Sequence, residues 1–265
     1  MIDESEGVLD RPAPGPDFTR AYGTDPNQLI DVHLPPESAT PRGFVVFVHG
    51  GFWRARYDRV HARPAIEALI ADGYLVANLE YRRVGQPGGG WPGTLEDAVA
   101  GIAAAVDSGA ELGFDAAQPV VAGHSAGGHL ALWASHRLGP DQIGGVLALA
   151  PVVGLDAMQR AGVGNGAMAD LLGGGPDEVP ERYREADPAA NLPIGVPVVV
   201  VHGSLDTVVP TEYGRAFVQA AVASGDDVTL VELPDIQHFG LIDPLSSAWS
   251  DVSEGLASLT GRGRG

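Results

Sequence analysis

Apolar positions gather into six short runs, Gly43–Val48, Gly73–Leu79, Pro119–Ala122, Gly145–Ala150, Val196–Val201 and Val228–Leu233, separated by stretches of helical spacing. Runs of this length without polar alternation read as strands buried on both faces. Ala62–Ala71, Thr94–Val106 and the stretch through Ala131-Leu132-Trp133-Ala134 carry the helical period. Strand alternating with helix predicts an α/β fold, with a mostly parallel central sheet and helices on both faces. Gln28–Leu34 alternates apolar with polar positions and predicts a half-buried edge strand. Residues 1–20 read as a leader, extended where Pro and Gly crowd between Arg11 and Pro16. The loop Arg82–Gly93 is too rich in glycine for regular structure and predicts a surface excursion near the site. Residues 156–191, with Asn165-Gly166 and Gly173-Gly174-Gly175-Pro176, read as a small cap inserted at one end of the sheet. A loose loop with one short helix is the alternative for that segment.

A length of 265 residues suits a single α/β domain spanning the whole chain. Hydrophobic content of 45% with 19% charged residues, and no apolar run able to span a bilayer, is the balance of a soluble globular protein. The start of the chain carries Asp3, Glu4 and Glu6 and no apolar segment of the secretory kind, so cytoplasmic residence is expected. The net charge of -18 comes from 34 acidic residues against 16 basic ones, all of them arginine. That field disfavours nucleic acid and anionic membranes as partners and leaves a small-molecule substrate; a homodimer stays open. The chain has no cysteine, which removes disulfides, thiolate metal sites and cysteine nucleophiles together.

The run ending in Gly123-His124-Ser125-Ala126-Gly127 is followed at once by helical spacing. This is the pattern of a nucleophile elbow, in which a serine on a tight strand-to-helix turn projects its hydroxyl and the next backbone N–H faces the developing oxyanion. The strand Gly43–Val48 empties into His49-Gly50-Gly51-Phe52-Trp53, whose backbone N–H groups at Gly51 and Phe52 are candidates to complete an oxyanion hole with Ala126. Asp206 follows the strand Val196–Val201, and His238 follows the strand Val228–Leu233. Ser125, Asp206 and His238 thus stand in the order that an elbow-type triad requires. The chemistry needs all three: the imidazole takes the serine proton, and the carboxylate holds the imidazole in the correct tautomer.

These motifs resemble the α/β-hydrolase superfamily, from about Leu29 to the last helix. His49-Gly50-Gly51-Phe52-Trp53 resembles the H-G-G-x-W motif of kynurenine formamidases and is also similar to the H-G-G-G motif of hormone-sensitive-lipase-type esterases, with Phe52 in place of the third glycine. The first resemblance implies an arylformamidase acting on N-formylkynurenine in tryptophan catabolism. The second implies a carboxylesterase acting on small acyl esters. Neither needs a cofactor. A ligand-binding relative that no longer hydrolyses is a third reading, which the presence of a complete triad opposes.

His49 is expected to brace the oxyanion loop, and His49, Gly50, Trp53, Trp91 and Phe239 are the candidate substrate-binding residues. Asp235 and Asp156 are rival acids to Asp206. Arg54 and Arg56 are candidate partners for a substrate carboxylate, although exposed arginines are usually only solvated. His124 and His202 flank strand ends, where backbone hydrogen bonding is their ordinary role. His33, His61, His129 and His136 read as surface or helix-face residues, and no histidine pair has metal-ligand spacing.

Overall fold

A computed structural model describes residues 4–36, 41–112 and 118–261. The central sheet has eight strands in the order β1-β2-β4-β3-β5-β6-β7-β8. They are β1 (Phe18–Ala21), β2 (Leu29–His33), β3 (Gly43–Val48), β4 (Tyr74–Leu79), β5 (Val120–His124), β6 (Gly145–Leu149), β7 (Val198–Gly203) and β8 (Val228–Leu233). From β3 to β8 every pairing is parallel, and β1 and β2 join antiparallel at one end.

The apolar runs are continuous because alternate residues feed two separate cores. On β3, Val46 and Val48 face the core under α2 (Gly93–Glu111), α3 (Ala126–Leu138) and α7 (Thr211–Ala223), while Val45 and Phe47 face the core under α1 (Arg63–Ala71) and α8 (Trp249–Thr260). The same division holds for Val146 and Ala148 against Leu147 and Leu149 on β6. Each enclosed Val or Leu contributes about 1.5–3 kcal/mol of transfer free energy, so a one-residue slip in register would be costly on both faces at once.

Two expectations change at the ends. Gln28–Leu34 was expected at the sheet edge, but β1 pairs along β2 and takes that place, leaving Ile30, Asp31, Val32 and His33 buried. The leader is only partly extended. Glu4–Asp10 forms a 3-10 turn that buries Val8 completely, and Arg11 makes a bidentate ion pair with Asp243 beside the turn that carries His238. Residues 1–3 of the leader lie outside the described residues. Among the described residues no helix is long and apolar enough to cross a membrane.

The insertion after β6 folds as three short helices, α4 (Leu155–Arg160), α5 (Ala167–Leu172) and α6 (Pro180–Ala186). Asp187 staples its two ends: its carboxylate accepts from Gly154 and Leu155 N–H at 2.9 and 2.8 Å and from Ala189 N–H at 3.0 Å.

His129 and His33 are not surface residues: His129 is fully enclosed on α3, where its Nε2 donates to the Ala186 carbonyl at 2.8 Å. Burial pushes the His129 ring down to about 4 and, with the charge of His49, does the same to His61. In the unfolded chain both rings would take up protons near the ordinary value of about 6.5. Between pH 6.5 and 4 the unfolded state therefore binds more protons, and stability falls as pH is lowered through that window. Thermal unfolding is expected to occur at a lower temperature at pH 5 than at pH 7, each ring contributing at most about 2 kcal/mol. His129→Gln should flatten the pH slope; an unchanged slope would remove His129 as its source.

Candidate active site

The turn between β5 and α3 places Ser125 at φ 58° and ψ -120°, a strained conformation for a residue with a side chain. Its backbone is held on both sides: its N–H donates to Leu149 O at 2.8 Å, and its carbonyl accepts from His129 N and Val152 N at 3.1 and 3.2 Å. The two elbow glycines are dictated by crowding. A Cβ at Gly123 would lie 2.3 Å from Gly127 O, and one at Gly127 would lie 2.0 Å from Val48 O. The turn can thus pass against the end of β3 only without side chains. Ala126 opens α3, so its N–H has no intrahelical acceptor and remains available.

The loop after β3 runs directly beside the serine. A Cβ at Gly50 would stand 3.2 Å from Ser125 Cβ and 2.8 Å from His124 O. Gly51, Phe52 and Trp53 then take positive φ values of 112°, 57° and 56° in succession, turning the chain back over Tyr57.

Asp206 lies just beyond β7. Its Oδ1 accepts from the N–H groups of Val208 and Val209 at 2.9 and 2.8 Å, and its Oδ2 accepts from His238 Nδ1 at 2.7 Å. His202 Nε2 stands 3.4 Å from the same Oδ2 while donating to Val209 O at 2.9 Å. Burial would raise the Asp206 pKa, but the hydrogen bonds from His202 and His238, the His238 charge and the backbone donors outweigh it and hold the carboxyl well below the usual carboxylate range. With Nδ1–H committed to Asp206, His238 keeps Nε2 as its basic nitrogen. The ring centroid of His238 lies 4.5 Å from that of His124, and His124 Nε2 donates to the His238 carbonyl at 3.1 Å. Burial, then the neighbouring His238, pushes His124 well below the ordinary histidine value, so it is a neutral brace between serine and histidine.

The rival acids stand apart. Asp235 is exposed and its backbone N–H donates to Ser204 Oγ, while Asp156 pairs with Arg160. Phe239 packs edge-on to His238 at 5.0 Å and is half-buried. Trp91 is also half-buried, its backbone N–H donating to Leu171 O at 2.7 Å. Trp53 departs from the expectation that it binds substrate: it is 1% exposed and sits in the core, 5.1 Å from the His129 ring, because the left-handed turn at Phe52 and Trp53 directs it inward. His49 is likewise enclosed, with Nδ1 at 2.7 Å from Gly50 O and Nε2 at 3.0 Å from Glu80, so it braces the loop and does not line a pocket. Arg54 is engaged with Asp170 Oδ2 at 2.7 Å and Asn165 O at 2.9 Å, tying the loop after β3 to the insertion after β6; Arg56 is exposed over the Tyr57 ring.

The structure also assembles residues that no motif marked. Glu80 and Arg83, just beyond β4, and Arg59, before α1, pack around His49 and Asp31. A signal was present in the sequence, since an acid that directly follows an apolar strand stands level with the residue that follows the neighbouring parallel strand. A separate apolar cavity of about 460 Å³ lies between the start of the insertion after β6 and α7, lined by Val153, Ala189, Tyr213 and Phe217 among others; Ser125, Asp206 and His238 do not line it.

A sequence model of the BD-FAE family matches residues 30–220. The esterase LipC of Mycobacterium tuberculosis is 32% identical over 84% of this chain and 59% of its own length. The chain spans about three-fifths of the curated relatives that it matches along most of its length. Among solved structures, a truncated carbohydrate esterase from gut microbiota superposes with a TM-score of 0.81 at 19% identity, covering 94% of this chain and all of that one. An esterase of Thermogutta terrifontis, solved with butyrate bound, gives a TM-score of 0.70 at 23% identity, covering 91% of each chain.

Proposed function

The chain belongs to the BD-FAE family, within the α/β-hydrolase superfamily, and on that premise we propose that it is a serine esterase acting on small acyl esters through a covalent acyl-enzyme. The observation that carries this reading is the Asp206–His238 hydrogen bond of 2.7 Å, in which the histidine is braced by the residue preceding a serine on a strained elbow. His238 Nε2 removes the Ser125 hydroxyl proton as Oγ attacks the ester carbonyl. The negative oxygen is received by the N–H groups of Ala126 and of Gly51 or Phe52. Collapse expels the alcohol, which leaves with the proton from His238. Water then attacks the acyl-enzyme by the same route, releasing the acid and restoring Ser125.

Ester is preferred to formyl amide on two grounds. The resemblance to formamidases rested on Trp53, whose ring is in the core, and the relative LipC is named an esterase. The butyrate complex of the Thermogutta enzyme supports a small acyl group. The expected result is that kcat/KM for a p-nitrophenyl acetate or butyrate exceeds that for N-formylkynurenine by about tenfold or more, the size of discrimination a well-shaped pocket supplies. A side-by-side assay decides it: faster turnover of the formyl aryl amide would restore the arylformamidase reading.

A further inference from the structure

We infer that Glu80 is a positioning residue for the oxyanion hole, acting through a doubly protonated His49 that fixes the Gly50–Gly51 peptide. This deepens the esterase reading and rests on it. His49 directly follows β3 and Glu80 directly follows β4, and the parallel pairing of Val48 with Leu79 brings them level. His49 Nε2 lies 3.0 Å from Glu80 Oε1, and His49 Nδ1 lies 2.7 Å from Gly50 O. Both partners are acceptors, so satisfying both bonds requires a proton on each ring nitrogen.

Glu80 is built to supply the balancing charge. Its Oε1 also accepts from Tyr81 N–H at 3.1 Å, its Oε2 accepts from Arg59 N–H at 3.1 Å, and Arg83 Nε stands 3.4 Å away. Burial would raise its pKa, but the His49 charge and hydrogen bond, Arg83 and the Arg59 N–H bring it down to about 2. Tyr81 stacks on the His49 ring at 4.5 Å and donates its hydroxyl to His49 O at 2.8 Å, so the ring cannot turn away.

The consequence for chemistry follows from peptide planarity. Gly50 C=O and Gly51 N–H belong to one rigid unit and point in opposite directions. Clamping the carbonyl on His49 therefore aims the Gly51 N–H, and a positive ring at the carbonyl polarises the peptide toward a stronger donor. Gly50 is packed against Ser125 Cβ, so this peptide is the one beside the nucleophile. The titratable and charged groups facing His49 are Glu80 and Arg83 beyond β4, Arg59 and the neutral His61 ring at 5.4 Å before α1, and Asp31 on β2 beyond Arg59.

Glu80→Gln tests the assignment. It keeps the shape but removes the charge that holds the second His49 proton. On p-nitrophenyl acetate, kcat is expected to fall about 10- to 100-fold with KM within about twofold, less than the 10²–10³ of a lost donor. A kcat within twofold of the parent, or a loss that falls on KM as much as on kcat, would overturn the assignment and leave Glu80 a purely structural residue. Should the variant not fold, ¹⁵N-histidine spectra of the parent protein decide instead: two N–H signals for His49 at pH 8 support it, and a single-proton tautomer overturns it. Failure of the esterase reading looks different, because the parent itself would then be inactive on esters and unlabelled at Ser125 by a fluorophosphonate.

Discussion

Ser125→Ala is expected to lower kcat on a short-chain aryl ester by about 10⁴- to 10⁶-fold, because nucleophile, base and acid act as a unit and the loss of one forfeits most of what all three supply. The fold should survive. The elbow is held by backbone groups, Ser125 N–H on Leu149 and the Ser125 carbonyl under His129 and Val152, none of which the substitution removes. Alanine also inherits the same φ of 58° with no larger Cβ than serine has. Turnover and the thermal midpoint should be measured on one preparation. A folded variant with near-parental kcat would rule out acyl transfer through Ser125 and revive the reading of a ligand-binding relative.

Asp206→Asn should cost about 10⁴ in kcat, the size expected when the imidazole is driven into the wrong tautomer. The geometry fixes which way the new amide turns. Val208 and Val209 N–H both donate to Oδ1, so the asparagine keeps its carbonyl oxygen there and presents its NH₂ to His238. His238 Nδ1 must then accept, its proton moves to Nε2, and the nitrogen needed to deprotonate Ser125 is blocked. The parallel variant Asp235→Asn should leave kcat within about twofold, since Asp235 is exposed and its N–H is bound to Ser204. Equal losses in the two variants would show that the acid has been misassigned.

The sequence by itself determined what depends on neighbours along the chain. Continuous apolar runs specify strands enclosed on both faces, and the elbow is legible because Gly123 and Gly127 are the only residue type that fits where the turn meets the end of β3. The order Ser125, Asp206, His238 was visible for the same reason, each residue following its own strand. What tertiary structure alone decided is which side chains meet across elements distant in sequence. Asp206 and Asp235 both precede His238, and only the loop beyond β7 brings one carboxylate to its Nδ1. Phe18–Ala21 is too short to announce itself, yet pairing along β2 turns an expected edge into an interior strand. Trp53 carries the side chain of a pocket residue, and two left-handed backbone positions direct it into the core instead. Glu80 and His49 are 31 residues apart and share no motif, but the register of β3 with β4 sets them side by side. Periodicity reports whether a position is buried; which polar groups share the buried space is fixed by strand register and by the need of each enclosed donor and acceptor for a partner.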